Sequence, residues 1–127
     1  MPGTKTNAFP VRWPLVGYSN AATTAAQKLV EAIVLFPCRI GAVKAYAVTA
    51  GVGAGNEVLD ILINGTTAYT TAANKPTLLG TSTGEFANTN PDIRSLLPGD
   101  RIELIVASIP ATTGQARVMM SVALELM

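Results

Sequence analysis

The groups able to do chemistry in this chain are eight carboxylates, one thiol and a run of glycines, and there is no histidine. Without imidazole the chain lacks the most frequent general base at neutral pH, the usual partner of a nucleophilic serine or cysteine, and the commonest metal ligand. Glycoside hydrolysis needs only two carboxylates, and any such pair must come from Glu31, Glu57, Asp60, Glu85, Asp92, Asp100, Glu103 and Glu125. The closest pairs, Glu57/Asp60 and Asp100/Glu103, are each three residues apart. In a strand that spacing sends the two side chains to opposite faces, so polar positions at strand edges and turns explain them better. No run of acids has the spacing of a calcium loop. Cys38 stands alone, which rules out an intrachain disulfide, suits a reducing compartment, and reads as an inert buried thiol. No catalytic residue, metal or cofactor is expected.

The glycines Gly51, Gly53 and Gly55 lie in "TAGVGAGN", residues 49–56. A phosphate cradle needs either G-x-G-x-x-G opening a helix or a glycine loop ending in Lys-Ser/Thr. Here the order is G-x-G-x-G, and "EVLDILING" follows, which alternates as a strand does. Leu59, Ile61 and Ile63 fall on one face, with Val58, Asp60 and Leu62 on the other. Asn64-Gly65 then fits a two-residue type I′ hairpin, in which both positions take positive φ. The glycine run is therefore expected to be a flexible connection between strands, its glycines easing positive φ.

The elements around these groups read as β. "QKLVEAIVLFPC" (27–38) has Leu29, Ala32, Ile33 and Phe36 on one helical face, but its β-branched content and Pro37 favour a strand. "RIGAVKAYAVTA" (39–50) carries apolar residues at both parities, as in a strand buried on one face and partly on the other. "TTAYTT" (66–71) returns from the hairpin. Residues 72–99 read as loops threaded with one or two edge strands, and "LLPGD" as a turn. Residues 101–109 form a strand with Ile102, Leu104 and Val106 inward. In the last strand Val118, Met120, Val122, Leu124 and Leu126 face in, and Met119, Ser121, Ala123 and Glu125 face out. Seven or eight strands without a long helix predict an all-β, antiparallel β-sandwich of jelly-roll type. An immunoglobulin-like sandwich would want paired cysteines and a core Trp, which are missing.

With 127 residues the chain suits one domain. Apolar residues make up 49% and charged ones 13%, against the ~25% charged that is usual. A mean hydropathy of +0.37 implies that part of the surface is covered in an assembly, an inference softened by the abundance of Ala. A net charge of +1 argues against nucleic-acid binding. No stretch reaches the ~18 apolar residues of a membrane-spanning helix, and "MPGTKTNAFP" lacks the apolar segment of a secretory signal.

Residues 1–25 are read as an extended N-terminal arm and 26–127 as the sandwich domain. Pro2, Pro10 and Pro14 disfavour regular structure, Lys5 and Arg12 are the only charges, and Trp13 is the only Trp in the chain. Disordered tails usually lack aromatics. Two readings stand side by side: Phe9, Trp13 and Tyr18 fold back on the chain's own core, or the arm clasps a partner.

The order of pieces, "IGAVKAY", "TAGVGAGN", "LDILINGTTAYTT", "NKPTLLG", "LLPGDRIELIVASI" and "RVMMSVALEL", resembles small jelly-roll structural proteins of tailed bacteriophages. These occur as head decoration (cement) proteins and as domains of tail fibres and baseplates. The resemblance spans residues 28–126, and its most recognisable parts are Asp60-x-x-x-Asn64-Gly65, Lys75-Pro76 and Pro98-Gly99-Asp100. It implies a homotrimer without enzymatic activity, made in the host cytoplasm and seated on the outer capsid surface, with the major capsid protein as partner. The short chain and its aromatic, basic arm favour a decoration protein over a fibre tip. In that role Phe9, Arg12 and Trp13 are the expected anchors, supported by Leu15, Val16 and Tyr18, and deletion of residues 1–20 is expected to leave the trimer folded. The alternative is a tail-fibre or baseplate module binding host carbohydrate through Tyr69, Phe86, Asn88 and Arg94. A small hydrolase with a hidden carboxylate site is the third reading.

Overall fold

The computed structural model describes residues 11–78, 84–87 and 90–127. They form ten strands: β1 (Arg12–Ser19), β2 (Lys28–Ile33), β3 (Cys38–Thr49), β4 (Glu57–Ile63), β5 (Thr66–Thr67), β6 (Thr77–Leu78), β7 (Gly84–Ala87), β8 (Ser95–Leu96), β9 (Arg101–Ser108) and β10 (Ala116–Leu126). A single 3-10 turn at Ala72–Asn74 is the only helical element among the described residues. One sheet runs β1-β10-β3-β7, with β8 also on β3, and the other β2-β9-β4-β5, with β6 also on β4. Every pairing is antiparallel. Strands β1 to β4 alternate between the two sheets, so the chain builds both layers of a sandwich from its start.

The core lies between the layers. Leu59 and Ile61 of β4, Ile102, Leu104 and Val106 of β9, and Val118, Met120 and Val122 of β10 are fully enclosed. Leu126, expected inward, is largely exposed, because it lies at the end of β10 beyond the packed layer. In β3 the inward parity changes along the strand: Cys38 and Ile40 are buried, then Val43, Ala45 and Ala47. The β10–β3 register shifts by one residue between Val122 and Leu124, which places one extra residue of β3 at Gly41–Ala42. Without that bulge one half of β3 would turn its apolar side chains to solvent. It accounts for the apolar residues at both parities, which had suggested burial on two faces.

Asn64 and Gly65 have φ of 52° and 85°, as the type I′ hairpin requires. The return strand stops at Thr67, because Ala68 and Tyr69 turn into the core, where Ala68 N–H donates to the Ile61 carbonyl at 2.8 Å.

The N-terminal segment departs from the expected arm. From Arg12 to Ser19 it is a sheet strand, paired with β10 from Arg12↔Glu125 to Ser19↔Val118. Pro14 is tolerated because β1 has β10 on one side only, and a proline on an edge strand can turn its missing N–H outward. Gly17 lets β1 pass close to β2, since a Cβ there would lie 2.6 Å from Leu29 Cβ.

The glycine loop is not a loose connection either. Val52 N–H donates to Thr113 O, Thr112 and Thr113 N–H donate to Val52 O, and Ala111 N–H donates to Ala54 O, at 2.9–3.0 Å. Gly53 and Gly55 have positive φ, and Gly51 does not. A Cβ on Gly53 would sit 2.7 Å from Thr112 N, so this glycine permits a close approach of two loops.

Candidate functional site

Among the described residues most carboxylates serve as structural ligands, and Glu31 and Glu103, opposite each other on β2 and β9, share Lys28 and Arg101. Asp60, nearly enclosed, accepts from Ile61 N–H at 2.8 Å and Thr67 Oγ1 at 2.7 Å and pairs with Lys75 Nζ at 3.2 Å. Asp92 accepts from the Thr70 and Thr71 amides and Thr70 Oγ1, which hold its carboxyl below the usual range. Asp100 closes the 97–100 turn on Leu97 N–H and accepts from Asn64 Nδ2, and is lowered likewise. Glu103 faces Lys28 and Arg101. No group of three or more His, Cys, Asp or Glu side chains among the described residues is placed to hold a metal ion. Cys38 is buried, and desolvation pushes its thiol up, away from the reactive form.

Glu57 is a residue the sequence reading placed wrongly. It is 0% exposed rather than at a polar edge. Its Oε1 accepts from Thr23 Oγ1 at 2.7 Å and Gln115 N–H at 2.9 Å, and its Oε2 is enclosed without a hydrogen-bond partner. Burial pushes its carboxyl above the ordinary 4.5, against the two hydrogen bonds that favour the charged form. An acid raised in the folded state adds stability below its unfolded value, and that stability is lost as pH rises through the folded value. The stability advantage of the wild type over Glu57→Gln is therefore expected to shrink as pH rises from about 4.5. Urea midpoints of both proteins from acid to neutral pH check this; a constant difference would show that the carboxyl is not desolvated.

The six expected anchors divide by strand parity. Phe9 lies outside the described residues. Trp13 and Leu15 point inward and pack against the core. Arg12, Val16 and Tyr18 point outward. Arg12 Nε pairs with Glu125 Oε2 at 2.8 Å, and Arg39 Nε pairs with Glu125 Oε1 at 2.9 Å, so Arg12 is engaged within its own sheet. Pairing registers Tyr18 with Met119 of β10 and Met119 with Tyr46 of β3, forming one row across the sheet. Val16, Tyr18, Tyr46, Val48 and Met119 are all between 41% and 48% exposed. The result is an outward face on three adjacent strands whose middle row is apolar, with Ser121 and Lys44 in the row of Val16, Arg117 opposite Val48, and the Arg12–Glu125–Arg39 ion pairs at one end.

Tyr46, Val48 and Met119 were not among the expected anchors. Met119 already stood at an outward parity in the sequence, and an outward methionine was the available signal; Tyr46 and Val48 required the bulge in β3 to place them. A face with such an apolar middle row on paired strands is suited to macromolecular contact.

The carbohydrate-binding set is not assembled as drawn. Tyr69 is 2% exposed, in the core, and cannot stack on a sugar. Phe86 lies in β7 opposite Ala45, Arg94 donates from Nε to Pro91 O at 3.1 Å, and Asn88 lies outside the described residues.

No family model and no curated protein sequence matches the chain. Among solved structures it is similar to a chain of the cyanophage Pam1 capsid asymmetric unit, with a TM-score of 0.55 and 19% identity. The match covers 100% of this chain and 94% of that one, and it shows a shared fold.

Proposed function

We propose that this chain is a non-enzymatic structural protein of a phage virion, a capsid decoration (cement) protein that bridges major capsid protein subunits on the outer surface of the head. The observation that carries this reading is the exposed apolar face of Val16, Tyr18, Tyr46, Val48 and Met119, fixed on a paired sheet. A preformed face loses little conformational entropy on docking, so its apolar area goes largely into binding. The fold likeness supports the setting. The neighbour in the Pam1 capsid asymmetric unit is matched over 94% of its own length, so it is a chain of similar size and not a long fibre bearing such a sandwich. We read the strand order, β1-β10-β3-β7 facing β2-β9-β4-β5, as a jelly roll.

In this reading three copies form a ring, each presenting Val16 and Tyr18 to a shell subunit with Arg12 at the edge of the contact. Three weak contacts made by one rigid body bind together far more tightly than each alone. The purified protein is expected to co-sediment with expanded heads of its phage at high copy number; failure to bind heads at all would overturn the reading. Deletion through residue 20 is not a clean test, because it would strip β1 from β10 and uncover the core beneath Leu15.

A further inference from the structure

Apart from Val52 and Ile93, the exposed large apolar side chains among the described residues fall into two groups. One is the sheet face around Tyr18 and Met119. The other lies at the end of the sandwich away from the glycine loop. There Val34 N–H donates to Asp100 O and Gly99 N–H to Val34 O, both at 2.8 Å, and Met127 N–H donates to Pro37 O at 3.1 Å. These bonds bring the 34–37 turn, the 97–100 turn and the end of β10 onto one rim. Leu35 is 73% exposed on it, Leu97 62%, Phe36 58% and Ile33 56%, against 41–48% on the sheet face. Beside this ridge a groove of 210 Å³ opens onto Trp13, Leu15 and Leu124.

We propose that this end is the contact between copies of the chain, with Leu35 and Phe36 of one copy set against the groove of the next. The inference rests on the ring of copies in the capsid reading and names the surface that holds it together. Such a ring needs a contact separate from the one made to the shell. With the sheet face turned to the shell, the bare end is the apolar surface left for the copies. Its exposed apolar area is roughly 700 Å², of the order of the ~800 Å² that one partner gives to a stable interface. Ridge and groove lie side by side, so every copy carries both halves of the contact, as identical subunits must. Charge also suits a meeting of like with like. Glu125 is held by Arg12 and Arg39, Asp100 accepts from Leu97 N–H and Asn64 Nδ2, and Arg101 pairs with Glu31 and Glu103. Two copies can therefore approach without setting unpaired like charges against each other.

The purified protein, with no heads present, tests this. Leu35→Asp and, separately, Phe36→Ser are expected to raise the dissociation constant of the assembly about 100-fold or more. Mass by analytical ultracentrifugation over a dilution series measures it, with circular dichroism unchanged because both side chains are exposed. Trp13 is the only Trp in the chain and lines the groove, so its emission should move to the red as the wild type dissociates. Tyr18→Asp with Met119→Asp should keep the wild-type mass. A wild type that is monomeric at every concentration would overturn the proposal, as would end variants that assemble like the wild type. Trp13 emission that moves to the blue only when heads are added would assign this end to the shell protein instead. An assembled wild type that fails to bind heads would remove the capsid reading and leave this contact standing.

Discussion

Replacing Gly114 with alanine is expected to cost about 3 kcal/mol of stability. Gly114 is buried in the turn between β9 and β10, under the segment that joins β1 to β2. A Cβ there would lie 2.2 Å from Thr23 O and 2.5 Å from Thr23 Oγ1. The first is backbone and has no rotamer by which to withdraw. Displacing Thr23 breaks its amide's hydrogen bond to Gln115 O at 2.9 Å and the donation from Oγ1 to Glu57 at 2.7 Å. A buried carboxylate that loses one of its two donors bears more of its desolvation penalty uncompensated. Gly55→Ala is the control. Gly55 has φ of +93° with nothing within 4 Å of a Cβ, so its substitution bears only the backbone cost of about 1–2 kcal/mol. Urea midpoints compare the two, and equal losses would show that the close approach to Thr23 is not what Gly114 provides.

The double substitution Tyr18→Asp with Met119→Asp is expected to weaken binding to phage heads about 1,000-fold. The two residues face each other across the β1–β10 pairing and occupy the middle of the apolar face. A central interface side chain is worth about 2 kcal/mol or more when truncated, and here each is replaced by a charge that must be desolvated on docking. Both side chains project outward, so the sandwich should melt within a few degrees of the wild type. Quantitative co-sedimentation measures the loss, with calorimetry confirming the fold. Full binding by the double variant would remove this face from the interface.

The strands β2, β3, β4, β9 and β10 were legible in the sequence because alternation and turn residues are local signals. Asn64-Gly65 and the Pro98-Gly99 turn marked their positions from chemistry alone. Strand β1 was hidden because Pro14 argues against a sheet unless the strand is known to be an edge, and edge position is a property of the whole topology. The burial of Glu57 was hidden for a related reason. Its partners Thr23 and Gln115 lie 34 and 58 residues away, so nothing near it in sequence announces a buried carboxylate. The face around Tyr18 was half legible: its outward residues follow from parity, but which strands lie beside one another does not. Composition had pointed the right way, since a chain with 13% charged residues leaves apolar side chains outside.

The pairing of β1 with β10 joins residues 12–19 to residues 118–125, segments far apart in the sequence. During synthesis β1 emerges with its inward residues Trp13 and Leu15 long before its partner β10. Strand β1 thus waits for β10, and β2 for β9 beyond residue 100, whereas β4 can first pair with β5 and β6. Closing so large a loop is entropically costly, and folds built on distant pairings form slowly, in milliseconds to seconds. Pro14, placed midway along the waiting strand, denies one hydrogen bond to any stray strand that would pair there first. Folding therefore waits on pairings between distant segments, with a proline keeping β1 from the wrong company in the meantime.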